Sequence, residues 1–166
     1  TDASDNNFKI IGALHLTSPD NGTEKWVVNV SYPITWTKTG SLDDVKLEYS
    51  TDGGGNYTHT ITDSTPAAGL SYAWTIPDAV GKQVRVRVSD TQDAAVNDTS
   101  DNNFSILAGF TITQPNGGDV WTVNQSKSIT WTTDGTISNV KLEYSTDGGT
   151  SYPNEIVASI PNNNAY

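Results

Sequence analysis

The chain has 166 residues, with 9 Lys and Arg against 19 Asp and Glu, a formal net charge of -10 and a pI near 4.3. That balance argues against nucleic acid as a partner, because the surface repels a polyanion and carries too few cations to neutralise phosphates. No run approaches the ~18 apolar residues of a membrane span and no basic-then-apolar leader opens the chain, so any signal or anchor is expected outside these residues. With no Cys there is neither a disulfide staple nor a thiolate metal site. The apolar residues are mostly Val, Ile, Trp and Tyr, which suit pleated sheets, amid Thr, Ser, Asn, Asp and Gly, a mix expected of a secreted protein.

Period-two alternation dominates and helical spacing is absent. In chain order, strands are predicted at Leu14 to Ser18, Trp26 to Val30, Tyr32 to Thr37, Val45 to Ser50, Tyr57 to Thr62, Leu70 to Ile76, Val84 to Val88 and Asn103 to Ile106. Turn signals separate them: Pro19 to Gly22, Thr39-Gly40, Asp52 to Gly55, Pro66 to Gly69, Pro77-Asp78 and Asp98 to Asn102. Eight short strands punctuated in this way predict a two-sheet sandwich. If the Val45 and Val84 strands are neighbours, as third and sixth strands are in such folds, Lys46 and Glu48 meet Arg85 and Arg87 on the outer face, a device that sets register.

The chain repeats itself. Val45 to Gly54, VKLEYSTDGG, returns as Val140 to Gly149, ITWT stands at Ile34 to Thr37 and Ile129 to Thr132, and SDNNF stands at Ser4 to Phe8 and Ser100 to Phe104. Self-similarity at a period near 95 residues reads as a tandem array whose unit is large enough to hold its own core. The expected division is residues 1–11 as the last strand of a preceding repeat, 12–106 as a complete repeat and 107–166 as the first strands of another. Since there is no Met, the sequence is expected to belong to a longer or processed polypeptide. The fold class is therefore all-β, as tandem immunoglobulin-like antiparallel β-sandwich domains.

Trp36, Trp131 and Trp74 are in phase with apolar neighbours and are expected in cores. Trp26 and Trp121 follow Gly-containing turns and are expected as partly wet edge clasps. A sugar-stacking platform would draw on Tyr57, Tyr72, Tyr32 and Trp26, provided they share an exposed face. Ser50 to Tyr57 and Ser145 to Tyr152 resemble the Asp-box hairpin of β-propellers, in which the carboxylate accepts the turn's own amides; that resemblance implies a structural turn.

The order of landmarks is specific: a Pro-Asp-Asn-Gly or Pro-Asn-Gly-Gly turn, Trp26 or Trp121, Ile-Thr-Trp, Val-Lys-Leu-Glu-Tyr-Ser with Asp-Gly-Gly, then Tyr72 to Pro77, the Val84 to Asp90 strand and Ser100 to Ile106. It resembles the extracellular β-sandwich repeat of the Ser/Thr-rich GPI-anchored membrane family. The resemblance implies an immunoglobulin-like or fibronectin-like module used in cell-wall assembly, adhesion, stalks and spacers. It supplies no catalytic residues; Trp36, Trp74, Pro77 and Phe104 are its shared structural positions.

Catalysis by a Ser or Thr nucleophile needs a His and an orienting acid, and the two His, His15 and His59, have no counterpart in the second unit. No enzyme activity is expected. Calcium is the one cofactor the residues suggest: Asp90, Asp93, Asp98 and Asp101 crowd one stretch, and Asp2 and Asp5 stand at the equivalent place before the first unit. Sequons at Asn21, Asn29, Asn56, Asn97, Asn103 and Asn124 permit glycosylation.

The expected function is a non-enzymatic structural module of a long secreted or cell-surface protein, forming a rigid fibre, filament, stalk or sheath. The connectors Ile11-Gly12-Ala13 and Ile106 to Phe110 are too short and apolar to be flexible. The alternative is a carbohydrate-binding or adhesive module, with cell-wall polysaccharide as ligand and the divergent Gly55 to Thr65 segment as the place to look. The expected partners are neighbouring repeats or identical chains. Ala3 to Ile10 reads as a spare last strand, available for addition to the open sandwich of another copy.

Overall fold

In the computed structural model, which describes residue 6 and residues 9–166, the first alternation becomes β1 (Ala13–Ser18), with Leu14 and Leu16 buried and Ala13, His15 and Thr17 exposed. It is followed by β2 (Lys25–Val27), β3 (Ser31–Thr39), β4 (Asp44–Ser50), β5 (His59–Pro66), β6 (Ser71–Thr75), β7 (Gly81–Asp90), β8 (Asn97–Thr99) and β9 (Phe104–Leu107). One sheet has the order β1-β3-β6; the other runs β2-β9-β7-β4-β5, with β8 also paired to β7. All pairings are antiparallel except β2 with β9. Two facing sheets in this order make an immunoglobulin or fibronectin III-like sandwich.

The core forms because each strand turns its β-branched or aromatic residues to one side. Leu16, Ile34, Trp36, Leu47, Val84, Val86, Val88, Phe104 and Ile106 are all almost completely removed from water. The Trp36 indole N–H donates to the Ala67 carbonyl at 3.0 Å, inside a short 3-10 turn at Ala67–Gly69. Trp26 departs from expectation. Only 6% of it is exposed, because Tyr32 stacks on one face at 5.1 Å while Phe104 and Trp74 close the rest. A three-residue strand between two turns offers no periodicity from which that burial is readable.

β4 and β7 are neighbours, as expected, with Glu48 opposite Arg87, but Lys46 stands opposite Ser89 and Arg85 opposite Ser50. Strand ends shift by a few residues, and the fifth strand begins at His59 rather than Tyr57. β8 was not expected: Asn97 to Thr99 lies in a stretch read partly as a turn, and it becomes a strand because β7 supplies a bare edge beside it.

The remaining residues form β10 (Gly109–Gln114), paired with β11 (Thr130–Asp134), and β12 (Asn139–Tyr144), paired with β13 (Asn154–Pro161). These pairs repeat β1 with β3 and β4 with β5. Thr17 and Thr35 share a hydroxyl hydrogen bond of 2.7 Å, and Thr113 and Thr130 share one of 2.6 Å. A second, smaller core gathers Trp131, Val140 and Leu142 with Ile129, Ile137, Ile156, Val157 and Ile160. The Trp131 indole donates to the Asn162 side-chain oxygen at 2.7 Å, so this ring too has its N–H satisfied. The expected strand in residues 1–11 lies mostly outside the described residues, and residues 9–11 belong to no strand.

Candidate functional site

The four aspartates proposed for calcium do not converge. β7 ends at Asp90 and β8 holds Asp98, so the stretch between them is a strand-turn-strand rather than an open loop. Asp90 accepts the Gln92 amide at 3.2 Å, and Asp93 accepts the Ala95 amide at 3.2 Å and pairs with Lys9. Asp98 reaches across to β1, accepting the Leu16 amide at 2.8 Å and lying 3.1 Å from His15 Nδ1. At Asp101 the amide donates to the Asp20 carboxylate at 2.7 Å. Among the described residues no three His, Cys, Asp or Glu side chains gather as a metal set; Asp2 and Asp5 lie outside those residues.

Acids elsewhere hold the architecture. Glu48, 8% exposed on the outer face of β4, receives the Arg87 guanidinium at 2.7 Å and Lys46 Nζ at 2.9 Å. Burial pushes its pKa up, but the hydrogen bonds from Lys46 and Arg87 outweigh this and leave it below the ordinary value. In the turn after β4, the Ser50 hydroxyl donates to Asp52, accepts the Gly54 amide at 3.0 Å, and Asp52 accepts the Asn56 amide at 3.0 Å. The second unit repeats each contact: Gly149 N to Ser145 Oγ at 2.8 Å and Ser151 N to Asp147 at 3.0 Å. These bonds, led by the Ser50 and Ser145 hydroxyls, hold Asp52 and Asp147 well below the usual carboxylate range.

The aromatic platform is not assembled. Tyr32 and Tyr72 pack against the core with Trp26, whereas Tyr57 lies in the segment before β5, with the Arg87 guanidinium 4.5 Å from its ring centroid. His59 stacks on Tyr49 at 4.6 Å. Among the described residues neither imidazole is hydrogen-bonded to a hydroxyl, which a nucleophilic dyad needs.

What the structure does build is a junction. β9 ends at Leu107 and β10 begins at Gly109, so Ala108 alone separates the two units. The Asp78 carboxylate takes both the Thr136 amide, at 3.0 Å, and the Thr136 hydroxyl, at 2.5 Å. Those two bonds, the hydroxyl first, lower its pKa. Asn29 donates its side-chain amide to Asp134 at 3.1 Å. Between these contacts sits Gly135, at φ +92, where an added Cβ would lie 3.0 Å from Val28 Cγ2 and 3.2 Å from Asp78 Oδ1. Pro77-Asp78 and Thr39-Gly40 were legible as turns. That Asp78 meets Thr136, the residue just after the later counterpart of Thr39-Gly40, was not, because a turn signal is local and this contact spans 58 residues.

The second feature is the open face of the second unit. Here Phe110, Ile112, Trp121 and Tyr144 are 51%, 44%, 39% and 50% exposed. They border two apolar grooves of about 370 and 610 Å³, the first floored by Trp131 and Val140 and the second by Ile129 and Ile156. In the first unit the corresponding space is filled by β6, β7 and β9.

No family model matches the chain, and no curated protein matches it. Among solved structures it is similar to the fibronectin(III)-like modules of Clostridium thermocellum CbhA, at 18% identity and a TM-score of 0.33, over 92% of this chain and 76% of that one. The sandwich rests on its own strand order. Among the described residues no helix is long and apolar enough to cross a membrane.

Proposed function

We propose that the chain is a non-enzymatic structural module of a secreted or cell-surface protein, a stiff bead in an extracellular fibre, filament, stalk or sheath. The junction carries the reading. A one-residue connector, two hydrogen bonds on Asp78, one from Asn29 and the tight seat of Gly135 against Val28 all oppose bending between the units. A module whose role is to bind through one face has no need of such a joint, and the four aromatics expected for a sugar-stacking face, Tyr32, Tyr57, Tyr72 and Trp26, pack against the core or lie under Arg87. Its acids are engaged in turns and strand pairs, which supports a role outside catalysis.

Nuclear magnetic relaxation on the intact chain tests this directly. The two units are expected to share one rotational correlation time at neutral pH, and Asp78→Ala is expected to separate them without unfolding either, since Asp78 is at the surface. Independent tumbling in the unsubstituted chain overturns the reading. Binding to a glycan array would favour the carbohydrate-binding alternative instead.

A further inference from the structure

The sequons are alike in the sequence and unlike in the fold. Transfer of a sugar to asparagine needs a free carboxamide nitrogen, Nδ2, on backbone that is not tied into a strand ladder. At Asn29 that nitrogen is held by Asp134 at 3.1 Å, within the junction. At Asn56 it is held by Asp52 at 2.9 Å, and at Asn97 by the Ala94 carbonyl at 2.9 Å, with Asn97 also paired to Ser89. Asn103 is half-buried, and its carboxamide oxygen takes the Arg85 guanidinium at 2.7 Å.

Asn21 is different. It is exposed, and its Oδ1 accepts both the Thr23 amide, at 2.8 Å, and the Thr23 hydroxyl, at 2.6 Å. With the oxygen committed to the sequon's own threonine, Nδ2 is left without a hydrogen-bond partner among the described residues. The main chain of the turn is fixed separately: Glu24 Oε1 accepts the Asp20 amide at 2.9 Å and the Asn21 amide at 3.2 Å. The turn joins β1 to β2 outside any strand, and none of the junction bonds involves it. Asn124 is exposed as well, but it has φ +66, and among the described residues no bond from Ser126 orients its carboxamide.

We infer that Asn21 is the residue at which the folded chain takes an N-linked oligosaccharide. The donor is an oligosaccharide carried on a polyisoprenyl diphosphate. The bond from its anomeric carbon to Nδ2 forms, the bond from that carbon to the diphosphate oxygen breaks, and Nδ2 gives up one proton. A glycan on Asn21 adds bulk and hydration to the module while leaving the Asp78 and Thr136 bonds in place. One on Asn29 would displace the bond to Asp134. The inference goes beyond the structural-module reading and rests on it only for export of the chain.

The test is incubation of the folded 166-residue chain with an oligosaccharyltransferase of broad Asn-X-Ser/Thr specificity and its lipid-linked oligosaccharide, read by peptide mass spectrometry. Synthetic peptides carrying the same sequons supply the rate that each sequence supports without the fold. Asn21 is expected to react at close to its peptide rate. Asn29, Asn56, Asn97 and Asn103 are expected at least about tenfold below theirs, the factor to which one hydrogen bond of this kind corresponds. Asp52→Ala frees the Asn56 carboxamide and is expected to bring Asn56 toward its peptide rate, with Asn21 unchanged and the fold checked by circular dichroism. An Asn21 held as far below its peptide rate as the other four overturns the inference. So do sequons that all react at peptide rates, because the fold then selects none, and an Asn56 that stays slow in Asp52→Ala, because the hydrogen bond is then not what withholds it. None of these outcomes depends on how the two units tumble, so the stiffness of the junction is read separately.

Discussion

Glu48 is the residue on which the outer face of the larger sheet depends. Its side chain is only 11% exposed, and Lys46 and Arg87 each bring a hydrogen bond to the carboxylate. Burial raises its pKa, the two cations lower it further than burial raises it, and the folded value ends below the unfolded one. Its contribution to stability is thus fully present above the unfolded carboxylate range and is lost as pH falls through the folded value, since the unfolded chain takes up the proton first. Urea denaturation of Glu48→Gln is expected to show a loss of about 1 to 2 kcal/mol at pH 7 and a smaller fall than the parent chain between pH 7 and pH 3. An unchanged pH slope would mean that the pair is decorative. Arg85, one pleat away, has a different task, bonding Asn103 at 2.7 Å and the Ser100 carbonyl at 3.2 Å to fix the approach to β9.

At the scale of the element, the ten-residue sequence from Val45 and its copy from Val140 form the same strand and the same turn. Gly53 and Gly54 take φ +76 and +92, Gly148 and Gly149 take +73 and +89, and a Ser hydroxyl gathers the turn in each. Context separates them. Ser50 is completely buried beside β7, whereas among the described residues β12, which leads to Ser145, has no strand on that edge. Ser50→Ala is expected to cost about 1 kcal/mol, leaving the half-buried Gly54 amide without its acceptor, while Ser145→Ala lets water replace the hydroxyl and costs less. Equal losses in chemical denaturation would show that the turn, and not its cover, sets the energy. The aromatic at the end of each turn follows suit: Tyr57 lies against Arg87, and Tyr152 is 56% exposed.

Across the whole molecule stability is uneven. The first unit has two sheets closed over a core of 19 buried apolar residues, and the second has two strand pairs around 3. Opening is cheaper where fewer apolar contacts are lost. Hydrogen exchange of the intact chain is expected to protect the amides of Leu47 and Val86 at least about a hundredfold more than that of Leu142. Matching protection would mean that the junction makes the halves one cooperative body. In that case Asp78→Ala is the substitution that separates them.

Much of this was written in the sequence by itself. The alternation in Val45 to Ser50 and Val84 to Val88 determined the strands, their inward faces and, through the third-and-sixth rule, the Glu48–Arg87 pair. The recurrence of one ten-residue string determined that a turn would be built twice. Such features are legible because side-chain alternation and glycine torsions are properties of a few adjacent residues. Only the tertiary structure decided that Trp26 is enclosed, that Asp90, Asp93, Asp98 and Asp101 part company around β8, and that Asp78 grips Thr136. Each of those depends on segments far apart in the chain meeting at a particular distance and angle, and that meeting is set by how two sheets pack and two units abut, not by the pattern within either strand.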